Sequence, residues 1–337
     1  MTLNVINLEH DERERALARG NTVADEGLSW VANAVLFQGG SELGVHSIAL
    51  EEPGPDDVVV DVSWSGVSTG TEKLLWSGDM PPFPGLTYPL VPGYEAVGTV
   101  VSSTGDETLI GQQVFVPGSK GFKGAAGLFG ASASRLVCDR NRVVPIDLPE
   151  PSQGVLLALA ATAYHAIKQG DLPELIVGHG VVGRLLARLC VALGGAPTVW
   201  EIDSQRMQSD GYTVCHPSED SRRDYHSICD VSGDANIIDQ LLGRLAPNGE
   251  IVLAGFYAQR PSFSFPMAFM REMRLRVAAE WSAGDLDAVL GLIKSGVLSL
   301  DGLITHTFAA GDAAAAYRTA FTDSRCLKLI LDWRAAS

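Results

Sequence analysis

The residues most plainly spaced for chemistry are Gly178-His179-Gly180-Val181-Val182-Gly183, a Gly-x-Gly-x-x-Gly run between a predicted strand, Leu175-Ile176-Val177, and a predicted helix from Arg184 to Leu193. In that context the first glycine permits a tight turn, the second lets backbone approach a pyrophosphate, and the third lets helix pack closely on strand. The free N–H groups and the dipole of the helix start favour an anion there. An acid is expected at the end of the next strand, to accept hydrogen bonds from an adenosine ribose. Glu201 occupies that place, and Asp203 is a second candidate. An acid repels the extra phosphate of NADP, so NAD is the expected cofactor, while Arg206 nearby keeps NADP open. The competing reading is a glycine turn in an unrelated α/β domain.

The elements that must position this loop can be read around it. Leu175-Ile176-Val177, the helix and Thr198-Val199-Trp200 form a βαβ unit, whose strands lie parallel in one sheet. Further strands are predicted at Ile228-Cys229-Asp230-Val231 and Glu250-Ile251-Val252-Leu253-Ala254, with a helix over 235–245 between them. Upstream, Asn33-Ala34-Val35-Leu36-Phe37, Val58 to Trp64 and Ala96 to Val101 are rich in β-forming residues and punctuated by Gly and Pro. Residues 1–31 are polar and read as an extension, and Lys328-Leu329-Ile330-Leu331 as a closing strand.

The totals bound the functions. A chain of 337 residues suits two domains, and 46% hydrophobic with 19% charged residues suits compact ones. A net charge of −15 argues against a nucleic-acid partner, because phosphate binding needs clustered Lys and Arg. The five cysteines make no Cys-x-x-Cys pair, which points to a reducing compartment, with the cytoplasm as the expectation. No stretch approaches the roughly 20 apolar residues of a membrane span, and no export signal is visible.

The stretch from Ala34 to Leu331 resembles the medium-chain dehydrogenase/reductase superfamily. Gly93-Tyr94-Glu95-Ala96-Val97-Gly98-Thr99-Val100 is similar to its Gly-His-Glu-x-x-Gly-x-Val, and Thr69-Gly70-Thr71-Glu72 to its Cys-Gly-Thr-Asp. Ala161-Thr162-Ala163-Tyr164-His165-Ala166 is similar to the segment before the cofactor strand, which brings Thr162 to the cofactor side. The resemblance implies an α/β fold in which a GroES-like, β-rich catalytic domain (32–150 and 291–337) joins a Rossmann dinucleotide-binding domain (151–290). It also implies a possible homodimer, for which the pieces between Glu280 and His306 offer a surface.

Zinc-dependent members hold their metal with a Cys and a His from the first two motifs and a further ligand near the third. Here those places hold Thr69, Tyr94 and a Leu/Ala run at 156–161, and a zinc site of this kind needs three ligands among thiolate, imidazole and carboxylate. No metal is expected. Gly66 to Gly78 with Met80 to Gly85 and Tyr88 to Glu95 further resembles the branch that oxidises the hydroxyethyl side chain of a chlorin during bacteriochlorophyll synthesis. That implies a secondary alcohol oxidised to an acetyl group, with hydride passing to NAD.

Without zinc, side chains must handle the hydroxyl proton. Thr71 matches the family's relay hydroxyl, Thr69 and Tyr94 can bond the same oxygen, and Glu95, Glu72, Lys73 or His165 can move the proton onward. Each has a structural alternative: Thr69 and Thr71 as turn caps, Tyr94 as a ring filling the old metal cavity, Glu95 and His165 as hydrogen-bond partners, Lys73 as a surface charge. A flat ring calls for aromatic walls, and Trp64, Trp76, Phe83, Tyr88, Phe256, Tyr257 and Trp281 are the candidates. Two other functions stay open: a zinc-free quinone or enone reductase, and a non-catalytic chlorin carrier.

Overall fold

A computed structural model of the chain describes residues 30–335 other than 40, 83, 209, 210 and 283. The extension therefore lies outside the described residues, apart from Trp30 and Val31, as does Phe83. Val31 already belongs to a strand.

The first half is β-rich. A hairpin of β1 (Val31–Gly39) and β2 (Glu42–Ala49) is followed by β3 (Asp57–Val67), α1 (Thr71–Ser77), β4 (Leu90–Val91), β5 (Ala96–Ser103) and β6 (Gln113–Val116). Then come β7 (Ala126–Gly127), β8 (Arg135–Asp139) and β9 (Val144–Pro145). The long β3 is the hub: it pairs antiparallel with both β5 and β8. Its Val58, Val59, Val60, Val62 and Val67 are buried, the β-branched filling that a sheet covered on both faces favours.

A helix, α2 (Leu157–Ile167), leads into the second half, where β10 (Leu175–Val177), α3 (Val181–Ala192), β11 (Thr198–Trp200) and β12 (Thr213–Cys215) follow. The rest is β13 (Tyr225–Asp230), α4 (Ile238–Leu242), β14 (Leu245–Leu253), α5 (Phe265–Arg271), β15 (Arg274–Val277) and α6 (Asp285–Lys294). The sheet runs β12-β11-β10-β13-β14-β15, every pair parallel. This is the doubly wound arrangement expected from the βαβ unit. Leu175, Ile176 and Val177 are all buried because helices cover both faces of the central strand. The predicted helix over 235–245 is shorter, since Leu245 already pairs with Tyr225 as the first residue of β14.

The chain then returns. β16 (Ile304–Ala309) and β17 (Lys328–Asp332), with α7 (Ala313–Thr322) between them, extend the catalytic sheet as β17 pairs with β3. One apolar cluster joins Val97, Phe115 and Ile146 to α2, α3 and Val289 of α6. Leu298, Leu300 and Leu303 are buried in that cluster, while Val297 beside them is exposed. The sheet's edges are β12 and β15, the latter beside an α5 that turns Phe265, Phe269 and Met270 to solvent.

Candidate active site

The glycine loop is shaped by contacts a side chain would forbid. Gly178 adopts φ +99°, where a Cβ is strained, and a Cβ on Gly183 would overlap the Gly178 carbonyl oxygen. An added Cβ on Gly180 meets nothing within 4 Å, so open space stands where the first turn of α3 begins with Val181 and Val182. That is the cradle an anionic pyrophosphate fits, on the backbone N–H groups of the helix start.

The acids near this loop already have backbone partners. Glu201 lies just past β11, but its Oε2 accepts from the His179 N–H at 3.1 Å, and its Oε1 from Ile202 N at 2.7 Å and Asp203 N at 2.9 Å. A carboxylate has about four acceptor directions, so roughly one remains for a ribose hydroxyl. Asp203 accepts from Gln205 N and caps a short turn. His179, fully buried, does not face the cleft: its Nδ1 meets the Arg206 carbonyl at 2.6 Å and its Nε2 the Tyr212 hydroxyl at 2.9 Å. Arg206 donates from Nε to the Ser324 carbonyl at 2.6 Å and from an Nη to that of Cys326. Its guanidinium thus ties the cofactor half to the returning segment. Thr162 spends its hydroxyl on the Ala158 carbonyl one turn back in α2.

In the catalytic half, β3 ends at Val67 and α1 begins at Thr71, with Ser68, Thr69 and Gly70 as the bridge. Gly70 is the N-cap and no side chain caps the helix, so neither threonine acts as a cap. Tyr94, half-buried and edge-on to Phe129, donates its hydroxyl to Ser68 Oγ at 2.9 Å and lies within hydrogen-bonding reach of Thr71. Burial and the nearby Glu95 and Glu72 carboxylates push its phenol well above the usual range. Tyr94 therefore stays neutral and serves as a hydroxyl.

Beneath it lie two buried acids. Glu95 pairs with Lys328 of β17, and both are sealed from solvent. Glu95 Oε1 has no hydrogen-bond partner, and a Cβ at Gly66 would overlap this pair. Glu72 accepts from Ser68 N at 2.9 Å through Oε1 and from the Tyr317 hydroxyl at 2.7 Å through Oε2. Burial, partly offset by those two hydrogen bonds, raises its pKa to about 7. Tyr317, on α7, was not legible as a site residue; its partner is 245 positions away in sequence.

The other proposed proton carriers are elsewhere. His165 Nδ1 meets Asp285 at 2.8 Å, and Lys168 bonds the same carboxylate at 2.6 Å. Burial alone would raise the Asp285 pKa, but bonds from Lys168, Ser282 N–H and His165 outweigh it and hold the carboxyl below its usual range. This cluster fastens α2 to the start of α6. Lys73 is exposed and reaches the Phe321 carbonyl at 3.3 Å.

The predicted aromatic walls do not line one pocket. Trp64 stacks under Arg334, Trp76 packs on Phe321, Tyr257 bonds Asp230 beneath the glycine loop, and Trp281 packs on the central cluster. Tyr88 and Phe256 expose their rings. The zinc-ligand places do not suit a metal either. Thr69 and Tyr94 offer hydroxyls, Glu95 is held by Lys328, and no group of three His, Cys, Asp or Glu residues suited to a metal occurs among the described residues.

A glycine-loop sheet beside a GroES-like β domain with hydroxyls and acids at its edge defines a dehydrogenase of the medium-chain class. Residues 54–149 match the alcohol dehydrogenase GroES-like domain family. An alcohol dehydrogenase of Escherichia coli solved with NADH superposes with a TM-score of 0.77 at 18% identity, covering 90% of this chain and 99% of that one. The 2R,3R-butanediol dehydrogenase of Bacillus subtilis gives 0.77 at 20%, covering 89% and 99%, and such likeness shows the fold. The 2-desacetyl-2-hydroxyethyl bacteriochlorophyllide A dehydrogenase of Cereibacter sphaeroides is 54% identical over 90% of this chain and 99% of its own. The protein of that name from Rhodobacter capsulatus is 54% identical over 90% and 98%. The chain belongs to this family of bacteriochlorophyllide dehydrogenases within the medium-chain dehydrogenase/reductase superfamily.

Proposed function

We infer that the protein oxidises the 3-(1-hydroxyethyl) group of a bacteriochlorophyllide to an acetyl group in bacteriochlorophyll synthesis, using NAD as acceptor. The observation that carries the reading is near full-length likeness to two dehydrogenases named for that substrate. NAD over NADP is supported by Glu201, whose negative charge faces the glycine loop, and by Arg206, whose guanidinium is turned to carbonyls.

Gly178, Gly180 and Gly183 with the N-terminus of α3 would hold the cofactor's pyrophosphate, and bound nicotinamide supplies a hydride acceptor. The chain's own residues do the rest. Tyr94 and Thr71 present hydroxyls to the substrate oxygen, Ser68 holds the Tyr94 hydroxyl, and a buried acid beneath can take a proton. The exposed rings of Tyr88 and Phe256 offer flat surface to a macrocycle. A homodimer is part of the reading. The edge of β15, flanked by the apolar face of α5, can pair with its twin, and the 280–306 segment, with Val297 exposed, offers a second surface.

The test is incubation of the purified protein with the hydroxyethyl chlorin and either NAD or NADP. Conjugating an acetyl group to the ring should shift its absorption to the red while NADH fluorescence grows in equal amount, faster with NAD. Intact protein that produces neither signal would overturn the assignment and favour a pigment carrier.

A further inference from the structure

We propose that Glu72 receives the proton of the substrate hydroxyl, with Tyr317 as the positioning residue that holds its carboxylate; this rests on the secondary-alcohol reading above. Alcohol oxidation sends the C–H electron pair to the cofactor and releases the O–H proton, so a nearby base must exist.

Elimination among the groups present leaves one. Lys73 is exposed and His165 is fastened to Asp285. Tyr94, Thr71 and Ser68 can pass a proton but cannot hold the resulting charge, for burial opposes a Tyr94 phenolate. Glu95 is paired with Lys328, and protonating it would leave the ammonium unpaired in the interior, a costly state. Glu72 differs because its direct partners are neutral: Ser68 N–H from the β3–α1 bridge and the Tyr317 hydroxyl from α7. The charged groups facing it are Glu95 and Lys328, which oppose one another. It can therefore be neutral or ionised without disrupting the pocket, and its pKa of about 7 suits reversible transfer.

The transfer balances through neutral hydroxyls. The substrate O–H bond breaks as its proton moves to the Tyr94 oxygen, and Tyr94 gives its own along the 2.9 Å bond to Ser68 Oγ. Ser68, whose amide already meets Glu72 Oε1, passes one on, so a carboxyl O–H forms and both hydroxyls end as they began. Tyr317 also borders a surface cavity of about 750 Å³ with Glu42, His46 and Trp76.

The experiment is the pH profile of kcat for the full-length enzyme and for Glu72→Gln and Tyr317→Phe, with NAD affinity as the control for folding. The wild-type rate should rise through about pH 7, as the acceptor ionises. Glu72→Gln should abolish that rise and lower kcat about 10²–10⁴-fold with NAD affinity kept. Tyr317→Phe should move the rise to higher pH, because the lost hydrogen bond had favoured the ionised form. The proposal is overturned if Glu72→Gln keeps the wild-type rate and profile, or if Tyr317→Phe leaves the rise in place; should the glutamine variant fail to fold, the phenylalanine variant decides. Infrared titration of the carboxyl band, with Glu72→Gln to assign it, reads the same group without substrate. A chlorin-inactive wild type whose Glu72 titrates near pH 7 would sink the substrate reading and support the proton site, whereas no titration between about pH 5 and 9 would sink the proton site by itself.

Discussion

The glycine loop and the acid–hydroxyl pocket solve opposite problems. The loop is one run of six residues whose function follows from missing atoms: no Cβ at Gly178, Gly180 or Gly183. The pocket draws on the end of β3, α1, the start of β5, α7 and β17, and its function follows from groups that burial makes expensive. A local turn tolerates change outside a few positions, while a pocket of buried charges depends on each partner.

That contrast is open to attack, beginning with the largest effect. Lys328→Met should destabilise the protein by about 3–5 kcal/mol, because it strands the Glu95 carboxylate in the interior. Pairing it with Glu95→Leu should recover most of that loss in denaturant unfolding. If the single variant matched the wild type, the pocket would not depend on its partners.

Gly183→Ala comes next. Its Cβ would overlap the Gly178 carbonyl, so about 1–3 kcal/mol of stability and most cofactor affinity should be lost together. Gly180→Ala, in open space, should leave the melting temperature nearly unchanged while weakening NAD binding, as calorimetry would show. Equal destabilisation by both would deny that the second glycine serves the ligand.

The Glu72 carboxyl sharpens the comparison through pH. Its pKa is raised in the folded state from 4.5 to about 7, so the folded protein binds the proton more tightly and this group's stabilisation is present below pH 4.5. It is lost as pH rises to about 7, up to roughly 3 kcal/mol at about 1.36 kcal/mol per unit. Glu72→Gln should therefore flatten the fall in unfolding free energy between those limits. An unchanged slope would refute the raised pKa.

Thr198–Trp200 and Leu175–Val177 form strands where the sequence predicts them, because short apolar runs beside turn glycines leave few alternatives. The helix predicted over 235–245 was curtailed by pairing, as Leu245 joined Tyr225 across the sheet. Among candidate residues, Glu201 and the glycines lie along one βαβ unit, so their spacing alone places them together. Lys73 follows Glu72 in α1, yet its side chain leaves the pocket for the Phe321 carbonyl, and His165, on α2, pairs with Asp285.

What the sequence by itself determined was the class of fold, the glycine turn and the absence of thiolate or imidazole at the zinc-ligand places, since each depends on residue type within a short window. Only tertiary structure decided which acid is paired with a lysine and which is hydrogen-bonded by a tyrosine hydroxyl. Glu72 and Glu95 are both carboxylates near one turn, and their difference comes from partners brought in by the final strand and helix. Burial lets electrostatics act strongly over a few ångströms, and only folding brings such partners that close.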